Sequence, residues 1–128
     1  MITNSLEQLK GHQYMALTTT RKSGVAVTTP VWFAIKDGKI FMYTEDDSGK
    51  IKRIRHTPTV QSAPCTASGK ILGESFTGQA RILDETEYAP VQAVFNAKYG
   101  FMIRVFGLLG RLRKSKKRIF LEITPMTA

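Results

Sequence analysis

Two tight-turn signals, Arg21-Lys22-Ser23-Gly24 and Lys36-Asp37-Gly38-Lys39, bracket a run that alternates from end to end. Val25, Val27, Thr29, Val31, Phe33 and Ile35 fall on one side of it, and Ala26, Thr28, Pro30, Trp32 and Ala34 on the other. A period of two is the mark of a strand, and the odd-numbered set is the expected core face. The flanking turns join this run by hairpins to the Thr-rich strand Tyr14 to Thr20 and to the strand Lys39 to Thr44. Two consecutive hairpins commit the chain to a mostly antiparallel sheet. Pro30 has no N–H to give to a ladder, so its place in mid-run calls for an edge, a bulge or a kink. A kinked strand opens a sheet toward a ligand.

The remaining segments extend that sheet. Ile2 to Lys10 reads as a short helix ending at Gly11, Val60 to Thr66 as a strand interrupted at Pro64-Cys65, and Glu74 to Leu83 as a strand with small residues on one face. The period then changes. Asp84-Glu85-Thr86-Glu87 leads into a helix running to about Lys98, Tyr99-Gly100 breaks it, and Phe101 to Leu112 reads as a second helix. Arg118 to Thr124 is the closing strand. With 128 residues, no repeat and no linker, the expectation is a single domain over 1–128. Short strands at this spacing suggest a closed or partly closed six-stranded antiparallel barrel with two to four helices.

Chemistry concentrates at Thr44-Glu45-Asp46-Asp47-Ser48-Gly49-Lys50-Ile51-Lys52-Arg53-Ile54-Arg55. A strand ends, the chain turns through Asp-Asp-Ser-Gly, and a short helix emerges carrying Lys50, Lys52, Arg53 and Arg55. A helix N-terminus offers free N–H groups and partial positive charge, Ser48 adds a hydroxyl, and the cations add full charges. That is the layout of a phosphate cradle, and equally that of a capped surface helix with solvated cations. Lys50 and Arg53 stand three apart and share a helix face, whereas Lys52 projects elsewhere. Nineteen Lys plus Arg against ten Asp plus Glu give a formal charge of +9, which favours acidic partners without choosing among them. A single cysteine and the lack of a secretory pattern or an apolar span fit a soluble, cytoplasmic protein.

Thr28-Thr29-Pro30-Val31-Trp32-Phe33, followed by Tyr43-Thr44 and Ser48-Gly49-Lys50-Ile51-Lys52-Arg53-Ile54, resembles the pyridoxamine 5′-phosphate oxidase-like family of flavin-binding split β-barrels. The nearest likeness is to its branch of deazaflavin (coenzyme F-420) dependent enzymes. It covers most of the chain, from about Tyr14 to Leu83, with Lys98-Tyr99-Gly100 and the final strand in keeping. The resemblance implies a homodimer with one cofactor in each of two clefts between subunits. It places the segment matching Thr29, Pro30, Val31 and Trp32 along the cofactor ring. The segment matching Thr44 and Ser48, Gly49, Lys50 and Arg53 is placed at the ribityl phosphate.

Other chemistries find less support. Vitamin B6 oxidation needs a C-terminal Arg/His tail, and this chain closes Phe120-Leu121-Glu122-Ile123-Thr124-Pro125 without one. Haem-binding split barrels need an axial ligand, and the two histidines, His12 and His56, read as surface or turn residues; no Cys/His cluster has metal spacing. Cys65 lacks a nearby activating group, and Ser48 lacks the setting of a nucleophile. The stretch from Phe101 to Arg118 is apolar and then strongly basic, so it covers the barrel or a dimer interface in preference to lying on an anionic membrane.

The expected activity is therefore hydride transfer from a reduced flavin-type cofactor to a conjugated or unsaturated small molecule, with no residue assigned as catalytic and no metal. Solvent, Tyr43 or Tyr99 supplies the proton. F-420 is favoured over FMN because the cations exceed what one phosphate asks for. The alternatives are a cofactor-binding carrier without turnover and, ranked lower, a basic nucleic-acid-binding barrel; no nucleic acid is expected because aromatics do not interleave with cations on successive strands.

Overall fold

The computed structural model describes residues 2–45, 49–110 and 118–126, with side chains over 6–44, 49–100 and 118–126. Helix α1 (Ile2–Leu9) precedes strands β1 (Tyr14–Thr20), β2 (Ala26–Trp32), β3 (Ala34–Lys36) and β4 (Lys39–Glu45). Helix α2 (Gly49–His56) leads to β5 (Thr59–Cys65) and β6 (Phe76–Ile82), and a single 3-10 turn opens α3 (Tyr88–Gly110) before β7 (Arg118–Pro125). The strands form one sheet in the order β2-β1-β5-β6-β7-β4-β3, and every neighbouring pair is antiparallel.

Seven strands replace the expected six because the alternating run does not stay whole. It breaks at Phe33, so that β2 pairs with β1 while β3 pairs with β4. The two edges of the sheet are thus consecutive in the chain. The sheet curls back toward itself with Phe33 at the seam, which is the split barrel with three helices. The β3–β4 hairpin is forced by Asp37 and Gly38, whose φ values of 53° and 75° form the two-residue turn that matches strand twist. Pro30 lies on edge strand β2, opposite Ala16, where its missing N–H costs no ladder bond on the outer side. Pro64, expected to interrupt its strand, does not. Pairing to β6 has already ended at Ser62–Phe76, and Pro64 sits opposite Met15 on β1.

Register decides which side chains meet. Met15, Leu17, Ile40, Met42, Leu121 and Ile123 fill the barrel interior, and Ile51 and Ile54 of α2 join them from one end. Phe41, Leu83, Val91, Phe95, Tyr99 and Phe120 form a second core between the outer face and α3. Only the C-terminal part of the odd-numbered face in the 25–35 run is well covered: Phe33 is fully buried while Val25 is 55% exposed. No helix among the described residues is long and apolar enough to cross a membrane.

Helix α3 runs through the expected break, with Tyr99 the one residue of non-helical geometry (φ −117°, ψ 15°). Its side chain shows why the kink is held there. The Tyr99 hydroxyl accepts the Phe33 N–H at 3.2 Å, and its own proton faces the carbonyls of Gln13 at 2.6 Å and Phe33 at 2.9 Å. At the seam, where no strand neighbour serves Phe33, a helix side chain does. Burial pushes the Tyr99 hydroxyl up to about 12, with the Phe33 N–H pulling the other way. Because the folded value lies above the ordinary 10.0, this contribution to stability is complete below that pH and is lost as pH climbs toward 12. Tyr99→Phe is expected to cost about 1–3 kcal/mol in urea denaturation at pH 7. The variant should also escape the wild-type loss of stability attributable to Tyr99 between pH 10 and 12. Equal midpoints at pH 7 would contradict this role.

Candidate functional site

The first turn of α2 faces the hairpin that joins β1 to β2. Arg21 and Lys22 of the hairpin, with Gly49, Lys52, Arg53 and His56 of the helix, line a pocket of about 370 Å³. The four helix positions are i, i+3, i+4 and i+7, a single stripe along one side of α2. None of the described lining residues is a carboxylate. None of the ion pairs among the described residues, which are Glu7–Lys10, Lys39–Glu122, Arg81–Glu87 and Arg81–Glu122, involves the pocket's cations.

Arg53 is the fixed member of this cluster. Its Nε donates to the Thr19 hydroxyl at 2.6 Å, and Thr19 is only 1% exposed, so the bond satisfies a buried polar group while anchoring the guanidinium. The guanidinium folds back over the start of the helix. A Cβ built on Gly49 would lie 2.6 Å from Arg53 Nη1, so the closeness of side chain and helix start depends on glycine. Lys50 lies beside the pocket, not on its wall. Burial holds its ammonium below the ordinary lysine value, and the charge of Arg53 lowers it further.

The other expected site residues lie along β2 and β4. Thr29 and Val31 pair with Leu17 and Met15 and share their inward face, whereas Pro30 and Trp32 pair with Ala16 and Tyr14 on the outer face. Thr44 ends the inward row of β4, opposite Ile119. Ser48 lies outside the described residues. The structure therefore joins Gly49, Lys50 and Arg53 in one cluster and places Trp32 away from it. Thr19, which holds Arg53, is opposite Val27, and from Val27 to Trp32 the strand advances about 17 Å at the usual rise per residue.

Trp32 is itself locked in place. Its ring stacks on Tyr99 with centroids 4.6 Å apart and planes 8° from parallel. Lys98 completes the corner: its Nζ donates to the Phe33 carbonyl at 2.9 Å and stands 3.4 Å from the centroid of the Phe33 ring. Burial of this end of an otherwise exposed side chain brings the amine down to about 8. Tyr99 is a poor proton donor here, because the residue is 2% exposed and its hydroxyl is committed to backbone groups. Burial raises the Tyr43 hydroxyl as well, against the opposing charge of Arg118.

Sequence spacing chose the pair Lys50 and Arg53. The structure puts Lys52, not Lys50, on the pocket wall with Arg53, because Ile51 and Ile54 dock inward and set the rotation of the helix. Arg21, Lys22, His56 and Lys98 were not singled out as site residues. For the first two no local signal exists, since only tertiary folding brings the hairpin against α2. The i, i+3, i+4, i+7 spacing of Gly49, Lys52, Arg53 and His56 was the available sign of a common stripe. Among the described residues no His, Cys, Asp and Glu cluster suits a metal ion.

Comparison with known proteins supports the same fold. A family model described as pyridoxamine 5′-phosphate oxidase matches residues 2–128. HutZ, the haem storage protein of Vibrio cholerae, is 12% identical over 98% of this chain and 90% of its own, with a TM-score of 0.73. A FAD-binding protein of Mesorhizobium loti is 12% identical over 99% and 89%, with a TM-score of 0.69. A conserved hypothetical protein of Mycobacterium tuberculosis is 22% identical over 98% and 80%, with a TM-score of 0.71. At such identities the likeness is one of fold. No curated protein matches the sequence. The split barrel with its seam at Phe33 and the match from residue 2 to residue 128 lead to one conclusion: the chain belongs to the pyridoxamine 5′-phosphate oxidase family.

Proposed function

We propose that this protein is a cytoplasmic, homodimeric oxidoreductase that uses a flavin-type cofactor, the deazaflavin F-420 in preference to FMN, to reduce a conjugated or unsaturated small molecule. The observation that carries the proposal is the basic pocket at the start of α2, lined among the described residues by Arg21, Lys22, Gly49, Lys52, Arg53 and His56. The donor set fits a phosphate. Arg53 presents a guanidinium anchored through Nε, Lys52 stands on the same helix stripe, and Arg21 and Lys22 face them from the hairpin.

When bound, such a cofactor supplies the hydride. The chain's own residues bind and orient. The basic pocket fixes the acidic end, Thr29 and Val31 line the inner face of the edge strand, and Trp32 is kept from swinging by its stack on Tyr99. No protein nucleophile is needed, and Cys65, buried with its thiol pushed up by burial, is unsuited to be one. Strand β2 is exposed or half-exposed along its whole length, which fits a cleft completed by a second copy of the chain. The preference for F-420 rests on its extra phosphodiester and carboxylates, which suit a pocket with cations on both walls.

Side-by-side fluorescence titrations with FMN and F-420 at low and moderate salt test the reading. Both should bind more weakly as salt rises, with F-420 the tighter ligand. Arg53→Ala should weaken binding about tenfold or more, the usual scale for a lost charged hydrogen bond; Lys50→Ala, beside the pocket, should do less. Tighter FMN binding rejects the cofactor preference. If neither ligand binds, the function falls. A second variant isolates the glycine: Gly49→Ala displaces the Arg53 guanidinium, so it should weaken F-420 binding while leaving the thermal midpoint nearly unchanged. Unaltered affinity in that variant would show that Arg53 does not contact the cofactor.

A further inference from the structure

A second pocket opens where the β3–β4 hairpin meets the start of α3. Its volume is about 250 Å³, and none of its described lining residues belongs to the basic pocket at α2. The floor is apolar, built from Phe41, Leu83 and Val91, all buried, with the exposed Pro90 at its edge. We propose that this pocket is a binding site for a small aromatic amine, a single ring on a short chain that ends in an ammonium group. Such a site operates whether or not the basic pocket holds a cofactor.

Size and floor define the body of the guest. A cavity of about 150 Å³ accepts benzene, so one of about 250 Å³ admits a ring with a short tail and excludes a flavin or a nucleotide. The floor leaves a ring uncovered. Phe120 is enclosed by Tyr43, Tyr88 and Phe95, whose centroids lie 4.8 to 6.0 Å from its own. Phe41 shares that outer core, but no aromatic pair of the described residues includes it, and it faces the pocket. On this side α3 presents Val91 and Pro90, which are too short to fill the space above Phe41. A flat apolar body supplies the missing contact.

The polar wall selects the head group. Asp37, Glu87 and Glu122 stand against one lysine, Lys36, so three of the chain's ten acidic residues line a single pocket in a protein of net charge +9. Glu87 is taken up by Arg81 and the Asp84 N–H. Glu122 is not saturated. It is buried opposite Phe41 and accepts one bond on each oxygen, from Lys39 at 3.2 Å and from Arg81 at 3.2 Å, which leaves room on both for another. Asp37, exposed in the hairpin turn, enters none of the ion pairs among the described residues. An ammonium brings donors and no acceptor, which is what these two carboxylates can take. An anionic guest would meet Lys36 alone, against three like charges on the same wall.

The test uses the whole chain without cofactor, labelled with ¹⁵N and with ¹³C in its Leu and Val methyl groups, and 2-phenylethylamine as probe. The amides of Asp37 and Phe41 and the methyls of Leu83 and Val91 should shift along one saturation curve, while Gly49 and Arg53 stay still. The dissociation constant should be on the order of millimolar, the scale for so small a ligand. The probes 2-phenylethanol and 3-phenylpropionate keep the ring and change the head group, and both should bind at least about fivefold more weakly. Asp37→Asn keeps a side chain suited to the positive φ of this turn. It should weaken the amine about threefold to fivefold, the scale of one exposed ion pair. Val91→Phe should fill the floor and abolish the shifts at Asp37 and Phe41. Equal affinity for the alcohol or the propionate, full affinity in either variant, or an amine that moves Gly49 and Arg53 in place of the pocket residues overturns the site. So does the lack of any shift well above millimolar amine.

Discussion

The seam at Phe33 is the point on which the rest of the structure depends. A sheet that curls back on itself must leave its ladder somewhere, and here the break falls between β2 and β3, where Phe33 has no strand partner for its N–H and C=O. An unpaired buried backbone group costs about as much as a lost hydrogen bond. Tyr99 and Lys98 of α3 supply the missing partners, and in doing so pin the helix at its kink, stack Tyr99 on Trp32 and set a lysine beside the edge strand. One backbone requirement thereby links the barrel, the outer core and the Trp32 end of the edge strand.

At the other end of β2 the governing term is charge. The cations on the pocket wall have no carboxylate beside them among the described lining residues and repel one another; Lys50 next to them is lowered by burial first and by the charge of Arg53 second. Of these cations, Arg53 also serves the fold by bonding the buried Thr19 hydroxyl. The interior contribution of α2 is complete with Ile51 and Ile54. An anionic guest removes the repulsion, which is why the cluster reads as a binding surface and not as a stabilising one.

Much of the fold was legible from alternation and turns. The two hairpins and the period change after Asp84 follow from local rules that the packed structure keeps, and Pro30, which allows an edge, a bulge or a kink, takes the edge. The break at Phe33 was not legible, because residues 25–35 alternate without a flaw and only closure of the barrel demands a corner. Part of the basic pocket could be read from Gly49 and Arg53 at the start of a short helix. The rest could not: Arg21 and Lys22 arrive by tertiary contact, and the rotation that favours Lys52 over Lys50 is set by where two isoleucines find their core. Lys98 had no sequence signal beyond its place before Tyr99.

The central claim is that one cofactor spans β2 from the basic pocket to Trp32. The chain has one tryptophan, so its indole N–H gives a single, unambiguous NMR signal. Titrating labelled protein with F-420 should move that signal together with the backbone amides of Thr29, Val31, Gly49 and Arg53, all along one saturation curve. Shifts confined to the α2 end with an unmoved indole, or an indole that responds while Gly49 and Arg53 do not, would contradict the account.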